Sequence, residues 1–393
     1  MPFIGNVKKY YLFNFFNSLE FFAPVIVLFW QSKGLNFSQI MLLQSIYALG
    51  VIVLELPTGA LADYFGKRIS LILGSLFYTA GFLIYGISHT FLHFVIGELT
   101  VATGAALISG ADSAFIHESL KAIGKGHEYK KTEGGVRGLT SLSRAFGKVI
   151  GGLLGSISLS YTLLATAVST FFGFITSATF TKTQENIPRE EKTAYMQIIR
   201  DSLKIVLERK TVLWLVLFFA FFNALIWSTN WFSQPYLQML GIPVIYFGII
   251  FASFSLITAV GSSYIETFER ITKRPFIFMG ILTVVSLFLL GTFPSIYMIP
   301  LWAFFNLFLV LNQTFVSHKV LSFVPENRAA TVLSFMNLIR RFIYAGFGPI
   351  LGFIGDRFGL LSALQFNSGV LLIVLCGLYI ARKKWIIAKK SSI

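Results

Sequence analysis

Residues 59–68 read GALADYFGKR, and a long apolar run lies on either side of them. Asp63 stands four residues before Lys67 and five before Arg68, while Gly59 and Gly66 thin the backbone around the charges. An acid four residues ahead of a base shares a helix face with it. Charges of this density do not sit in hydrocarbon, so the segment marks a polar hairpin between two membrane-crossing helices. A hairpin that only set topology would need neither the acid nor the glycines.

The rest of the chain agrees with that placement. Of 393 residues 55% are hydrophobic and only 12% charged, with a mean hydropathy of +0.74. Soluble domains carry about 25% charged residues, so a water-facing surface of ordinary polarity cannot be built here. Apolar stretches of about 18 residues or more recur along the whole length, which is the signal of membrane helices. The ~10-residue alternating segments of a β-barrel are absent. The fold class is an all-α membrane protein. The stretch 10–30 is too long and aromatic for a signal-peptide core and is expected to be a retained first span. A lone Cys376 excludes an internal disulfide. The 43 Phe and 15 Tyr suit either a cavity for apolar cargo or a lipid-facing surface.

Twelve spans are expected, at about 10–30, 38–62, 69–88, 91–117, 136–158, 160–181, 211–234, 243–267, 275–292, 294–320, 330–354 and 360–381. Of the 32 Lys and Arg, four fall inside spans, and only Lys33 and Arg357 lie in the connections on one side. The others gather on the opposite side, which the positive-inside rule makes cytoplasmic. Both termini are therefore expected in the cytoplasm, with the protein embedded in the inner membrane of the cell. The net charge of +15 is a topology signal with some anionic-lipid contact and not a nucleic-acid footprint. The domains expected are a six-helix bundle over 1–181, a linker over 182–210, a second bundle over 211–381 and a basic tail over 382–393. In the linker Met196, Ile199, Leu203, Val206 and Leu207 recur at helical spacing, which predicts an amphipathic surface helix.

The halves repeat each other at a drifting offset. Pro24 pairs with Pro235 at 211; Asp63, Lys67 and Arg68 pair with Glu269, Lys273 and Arg274 at 206; His117 pairs with His318 at 201. Arg144, Gly151 and Gly155 pair with Arg341, Gly348 and Gly352 at 197. The small steps are what differing loop lengths between two pseudo-symmetric six-helix units produce.

The hairpin resembles the loop 2–3 signature of the major facilitator superfamily, through Gly59, Leu61, Asp63, Gly66, Lys67 and Arg68. Tyr64 replaces the usual basic residue, and Lys67 replaces an Arg. The resemblance implies two six-helix bundles, cargo bound near the midplane between them, and a hairpin that locks the outward-facing state. There the acid meets the positive end of a helix, worth up to about 2 kcal/mol. Asp112 is expected as a third member of that charge cluster, with Glu55 just upstream. ELPTG at 55–59 and SGADSA at 109–114 look like a prokaryotic facilitator subgroup. Span 5 places Arg144, Gly147, Lys148, Gly151 and Gly155 within about a 100° arc. That spacing is similar to the span 5 signature of drug/proton antiporters, with Lys148 where they have Pro. Span 11 keeps its Pro349 between Gly348 and Gly352. Small residues four apart equally serve close helix packing. The antiporter arginine of span 4 is absent, since Thr100 stands there and Glu98 lies nearby.

Charges inside spans point to mechanism, because each costs ~3 kcal/mol or more unless it faces a cavity or a partner. The acids are Glu20, Glu55, Glu98 and Asp112; the bases are Arg144, Lys148, Arg340 and Arg341. Glu20 follows Asn14 and Asn17 at three-residue steps, a polar stripe suited to proton or cargo binding, or to a static pair with a base. Asn223, Trp227 and Asn230 on span 7, with Asn306, Asn312 and Gln313 on span 10, offer hydrogen bonds that suit cargo or helix contacts alike.

No phosphate-binding loop is present, since the GKG at 124–126 has no flanking strand. His89 and His93 lack a third ligand, so no metal site is expected. No cofactor and no enzymatic constellation are expected either. The reading is a monomeric secondary transporter in the lipid bilayer, exporting a small amphipathic or drug-like molecule with H⁺ as coupling ion. The rival is uptake or exchange of a small organic anion through the four bases, and a non-transporting membrane sensor is a remote third.

Overall fold

The computed structural model describes residues 2–182, 200, 203–204, 206–272, 274–325 and 328–383. Lys273, the tail beyond 383 and most of the linker, with its expected amphipathic helix, lie outside the described residues. Among the described residues every regular element is a helix. Ten segments there are long and apolar enough to cross a membrane. The other two of the twelve spans are the first, which is interrupted, and the fifth, whose charged and glycine-rich face lowers its hydropathy.

The hairpin joins α3 (Phe37–Phe65) to α4 (Lys67–Ile87) through Gly66 alone. Its φ of 97° is a region that glycine enters without a Cβ penalty, so the chain reverses in one residue. At its other end α3 begins with a capping box, in which Asn36 accepts from the Gln39 backbone and Gln39 from that of Asn36. Next come α5 (Phe91–Ile108) and α6 (Ala111–Ala122), parted at Gly110, then α7 (Tyr129–Ile157) and α8 (Leu159–Ala178).

Span 1 is not the continuous helix that its hydropathy predicts. It divides into α1 (Pro2–Asn17) and α2 (Ile26–Ser32). Between them the backbone closes short turns: the Glu20 N–H donates to the Ser18 carbonyl at 3.0 Å, Ala23 to Glu20 at 3.2 Å and Val25 to Phe22 at 3.0 Å. Pro24 has no N–H to offer a helix, and the local turns satisfy the freed groups. Span 7 is interrupted in the matching place, between α9 (Lys210–Asn230) and α10 (Ser233–Met239), with Pro235 just past the break. The remaining helices are α11 (Phe247–Ser263), α12 (Ile265–Ile271), α13 (Pro275–Thr292), α14 (Pro300–Leu321), α15 (Ala329–Phe358) and α16 (Leu360–Arg382).

Two compact units form: Met1–Ile187 with Leu237–Ser255, and Pro188–Tyr236 with Leu256–Ile393. In the first, Tyr10, Phe13, Leu71, Phe115 and Phe180 build a buried cluster, with the Phe115 and Phe180 rings 4.5 Å apart. In the second, Trp214 stacks on Phe218, and Phe276 packs edge-on against both. Part of the phenylalanine excess therefore packs helices together. Another part, such as Phe146, Phe288 and Phe353, is exposed, as lipid-facing side chains of a membrane protein are.

Candidate functional site

In the first unit the glycines of α7 set the geometry. A Cβ on Gly147 would lie 2.9 Å from the backbone nitrogen of Glu20, and one on Gly151 would run into the carbonyl group of Phe21. On Gly155 it would stand 3.0 Å from the Val25 side chain. The stripe thus seats the interrupted backbone of span 1, residue by residue, against a helix without side chains. Gly152, on the adjoining face, meets Gly248 of the same unit in the same way.

Seating the break there aims Glu20 at α7. The Arg144 Nε donates to Glu20 Oε1 at 3.1 Å, and both side chains are partly exposed, at 51% and 33%. One turn on, Lys148 Nζ donates to Ser255 Oγ at 2.7 Å. Tyr78 of α4 lies within electrostatic range of both Glu20 and Arg144. The arrangement is one acid and two bases, of which a single base is neutralised. Asn14 and Asn17 do not share in it: their amide groups donate to the Tyr10 and Phe13 carbonyls, each at 2.9 Å, one turn back on α1. The expected polar stripe ends at Asn17, because Glu20 has left the helix.

Glu98 occupies a different setting. Only 4% exposed on α5, it accepts at Oε1 from Gln44 Nε2 at 2.6 Å and at Oε2 from the Tyr85 hydroxyl. Neither donor carries a charge. Gln44 and Tyr85 escape a motif reading because they lie 54 and 13 residues away. The available signal was a lone Gln in an apolar run.

At the hairpin Lys67 pairs with Asp63, and Arg68 donates to the Ala178 carbonyl at 2.7 Å. Lys67 is buried while Asp63 is exposed. A Cβ on Gly59 would meet only open space. Glu55 is exposed on α3, one turn before Thr58. Among the described residues Asp112 makes no direct ion pair with Lys67 or Arg68. It accepts from the Ser113 N–H in the first turn of α6 and neighbours Tyr10, Tyr129 and Glu133.

The second unit places Asn223 on α9, donating to the Phe219 carbonyl at 2.8 Å, and Asn230 at 3.5 Å from Asn306. Asn312 is fully buried with both amide atoms unpartnered among the described residues. On α15, Arg340 and Arg341 sit side by side a turn before Tyr344, whose hydroxyl accepts from Trp231 Nε1 at 2.8 Å. Gly348 and Gly352 are buried further along. The sequence reading did not single out Trp231 or Tyr344.

His89 lies 3.3 Å from Lys33 Nζ, and His93 caps α5 with Thr90. A cavity of about 730 Å³ in the first unit is lined by Gln31, Ser32, Gly155, Ser156 and Gln238 among others, and takes in none of the charged groups above.

Residues 11–349 match the family model described as Major Facilitator Superfamily. The chain is 26% identical over 374 residues to the uncharacterized MFS-type transporter YxaM of Bacillus subtilis, covering 92% of each. A shorter likeness, 26% over 137 residues and 35% of this chain, links it to the uncharacterized MFS-type transporter MJ1560 of Methanocaldococcus jannaschii, of which it covers 34%. Among solved structures, the nucleoside transporter NupG superposes with a TM-score of 0.76 at 10% identity, covering 98% of this chain and all of that one. A bacterial homologue of the human lysosomal transporter Spinster, inward-facing and unoccupied, gives 0.71 at 17% identity, covering 99% and 96%. At these identities the structural likeness speaks for the fold alone.

Proposed function

Because the chain belongs to the Major Facilitator Superfamily of membrane transporters and not to an enzyme family, we propose that it is a secondary active transporter using proton-coupled alternating access. The cargo proposed is a small amphipathic or drug-like molecule, exported across the inner membrane by a protein with both termini in the cytoplasm. Export is supported by the resemblance of the span 5 and span 11 glycine patterns to those of drug/proton antiporters.

The observation that carries the reading is the Glu20–Arg144 pair, held where span 1 leaves its helix against the α7 glycines. A partly exposed pair can exchange partners more readily than a fully buried one, because the groups it frees are not left wholly desolvated. A proton on Glu20 cancels its charge and releases Arg144; its departure restores the pair. The break supplies a backbone that can follow that change without unwinding a continuous helix. In proteoliposomes loaded with a panel of cationic, neutral and anionic amphipathic dyes, an imposed pH gradient should drive movement of at least one dye. Glu20→Gln should abolish that movement while the protein stays folded, and unchanged flux would remove Glu20 from the mechanism.

A second reading assigns the proton to Glu98, favoured by its burial with only uncharged donors. It predicts that Glu98→Gln, and not Glu20→Gln, uncouples transport from the pH gradient.

A further inference from the structure

The last glycine of the α7 stripe, Gly155, does more than seat span 1. A Cβ there would stand 3.0 Å from the Val25 side chain and 3.5 Å from that of Val244. Its missing side chain leaves room between the resumed span 1 and the short turn at Val244–Tyr246, and the cavity of about 730 Å³ opens there. That is a size that takes a small molecule. Gly155 lies eleven residues beyond Arg144, about 16 Å along α7. The cavity is therefore a separate place from the Glu20–Arg144 pair, at the end of α7 away from Lys130 and Lys131. In the orientation proposed above, that end is the outer one.

No charged side chain lines the cavity. Lys33, next in sequence to the lining Ser32, is engaged by His89 Nδ1 at 3.3 Å. Two carboxamides do line it, Gln31 and Gln238, and neither side chain makes a hydrogen bond among the described residues. Each has two N–H donors and an acceptor oxygen to offer. Ser32 and Ser156 donate their hydroxyl protons to their own helices, to the Phe29 and Leu153 carbonyls at 2.7 Å each, and remain available as acceptors. The rest of the lining is aliphatic, with Leu28, Leu159, Val244 and Ile245 prominent, and includes no aromatic ring. A charged group entering here would leave water for a wall that holds no counter-charge, which is costly. A hydroxyl or amide group would exchange its waters for carboxamide partners.

We propose that this cavity is a binding site for an uncharged amphipathic molecule. Its hydroxyl- or amide-bearing head bonds to Gln31 and Gln238, and its aliphatic chain lies against Leu28, Leu159 and Ile245. The site stands apart from the proton-coupled reading, since Glu20, Arg144 and Lys148 take no part in it.

The test reads occupancy and needs neither transport nor a pH gradient, so a failure of proton coupling leaves its result intact. The free and exposed Cys376 is first replaced, as Cys376→Ser, and the exposed Ser156 then becomes the reporter, as Ser156→Cys. Full-length protein in phosphatidylcholine nanodiscs is labelled with a water-soluble maleimide in the presence of three probes of matched chain: neutral 1-octanoylglycerol, anionic octanoate and cationic octyltrimethylammonium. At equal free concentration 1-octanoylglycerol should slow labelling about tenfold more than either ion, as one or two added hydrogen bonds provide. Tyr297→Cys, in the same background and on an exposed turn of the second unit, should label at one rate with all three. Gln31→Leu and Gln238→Leu, made separately, should each erase the advantage of the neutral probe. No slowing by 1-octanoylglycerol, or an undiminished advantage in both Leu variants, would overturn the proposal. Equal slowing by all three probes would assign the cavity to any aliphatic chain, a bilayer lipid's included, and would refute it as well. If Ser156→Cys does not fold, Ser32→Cys on α2 reports on the same cavity.

Discussion

Glu20 and Glu98 both lie in the spans of one unit, yet their surroundings give them opposite properties. Glu20 projects from broken backbone, partly exposed, and its partner is the charged and half-exposed Arg144. Glu98 projects from an unbroken helix, is buried, and is held by the neutral groups of Gln44 and Tyr85. An exposed pair contributes little stability and is free to part, whereas a buried acceptor that loses its donors leaves unsatisfied groups behind. The contrast teaches that transport and stability should separate between the two acids if the proposed assignment of the proton to Glu20 holds.

The largest effect expected is on the seat of the break. Gly151→Leu drives a side chain into the Phe21 carbonyl group and should destabilise the unit by about 3 kcal/mol or more. Gly138→Leu, on the same helix with nothing within 4 Å of its Cβ position, should be tolerated, as thermal unfolding in detergent would show. If both variants behave alike, the close approach of α7 to the break is not what positions Glu20. Next, Glu98→Leu strands the Gln44 and Tyr85 donors and should cost ~2 kcal/mol of stability. Glu20→Gln should cost less than Glu98→Leu, since the pair it loses is partly exposed and the amide keeps an oxygen for Arg144 to donate to. The reverse ranking would break the comparison. Smallest of all is Asp63→Asn at the hairpin. The amide keeps an oxygen for the buried Lys67 to donate to, so stability should change least here, while turnover slows a few-fold. Normal turnover would make the hairpin a topological marker only.

What could be read in advance follows the range of the interactions concerned. The Asp63–Lys67 spacing and the turn at Gly66 are local, and four-residue periodicity displays them directly. The α7 glycine stripe was visible as a pattern, although what packs on it was not. The interruption at residues 18–25 was hidden, because spans tolerate proline and Phe21–Phe22 and Val25–Trp30 keep the hydropathy high across the break. Glu20 therefore looked like the third member of a helical stripe with Asn14 and Asn17. The partners of Glu98 and Asp112 depend on which helices pack together, and no local spacing encodes that. The repeat was legible as paired residues.

The central claim is that Glu20 trades its bond with Arg144 for a proton during each cycle. The most direct measurement compares two modes of transport by Glu20→Gln in proteoliposomes: net dye movement driven by a pH gradient, and one-for-one dye exchange with no gradient. The account predicts that net movement disappears while exchange persists, because a permanently neutral side chain mimics the proton-loaded carrier. Gradient-driven movement at the wild-type rate would contradict it.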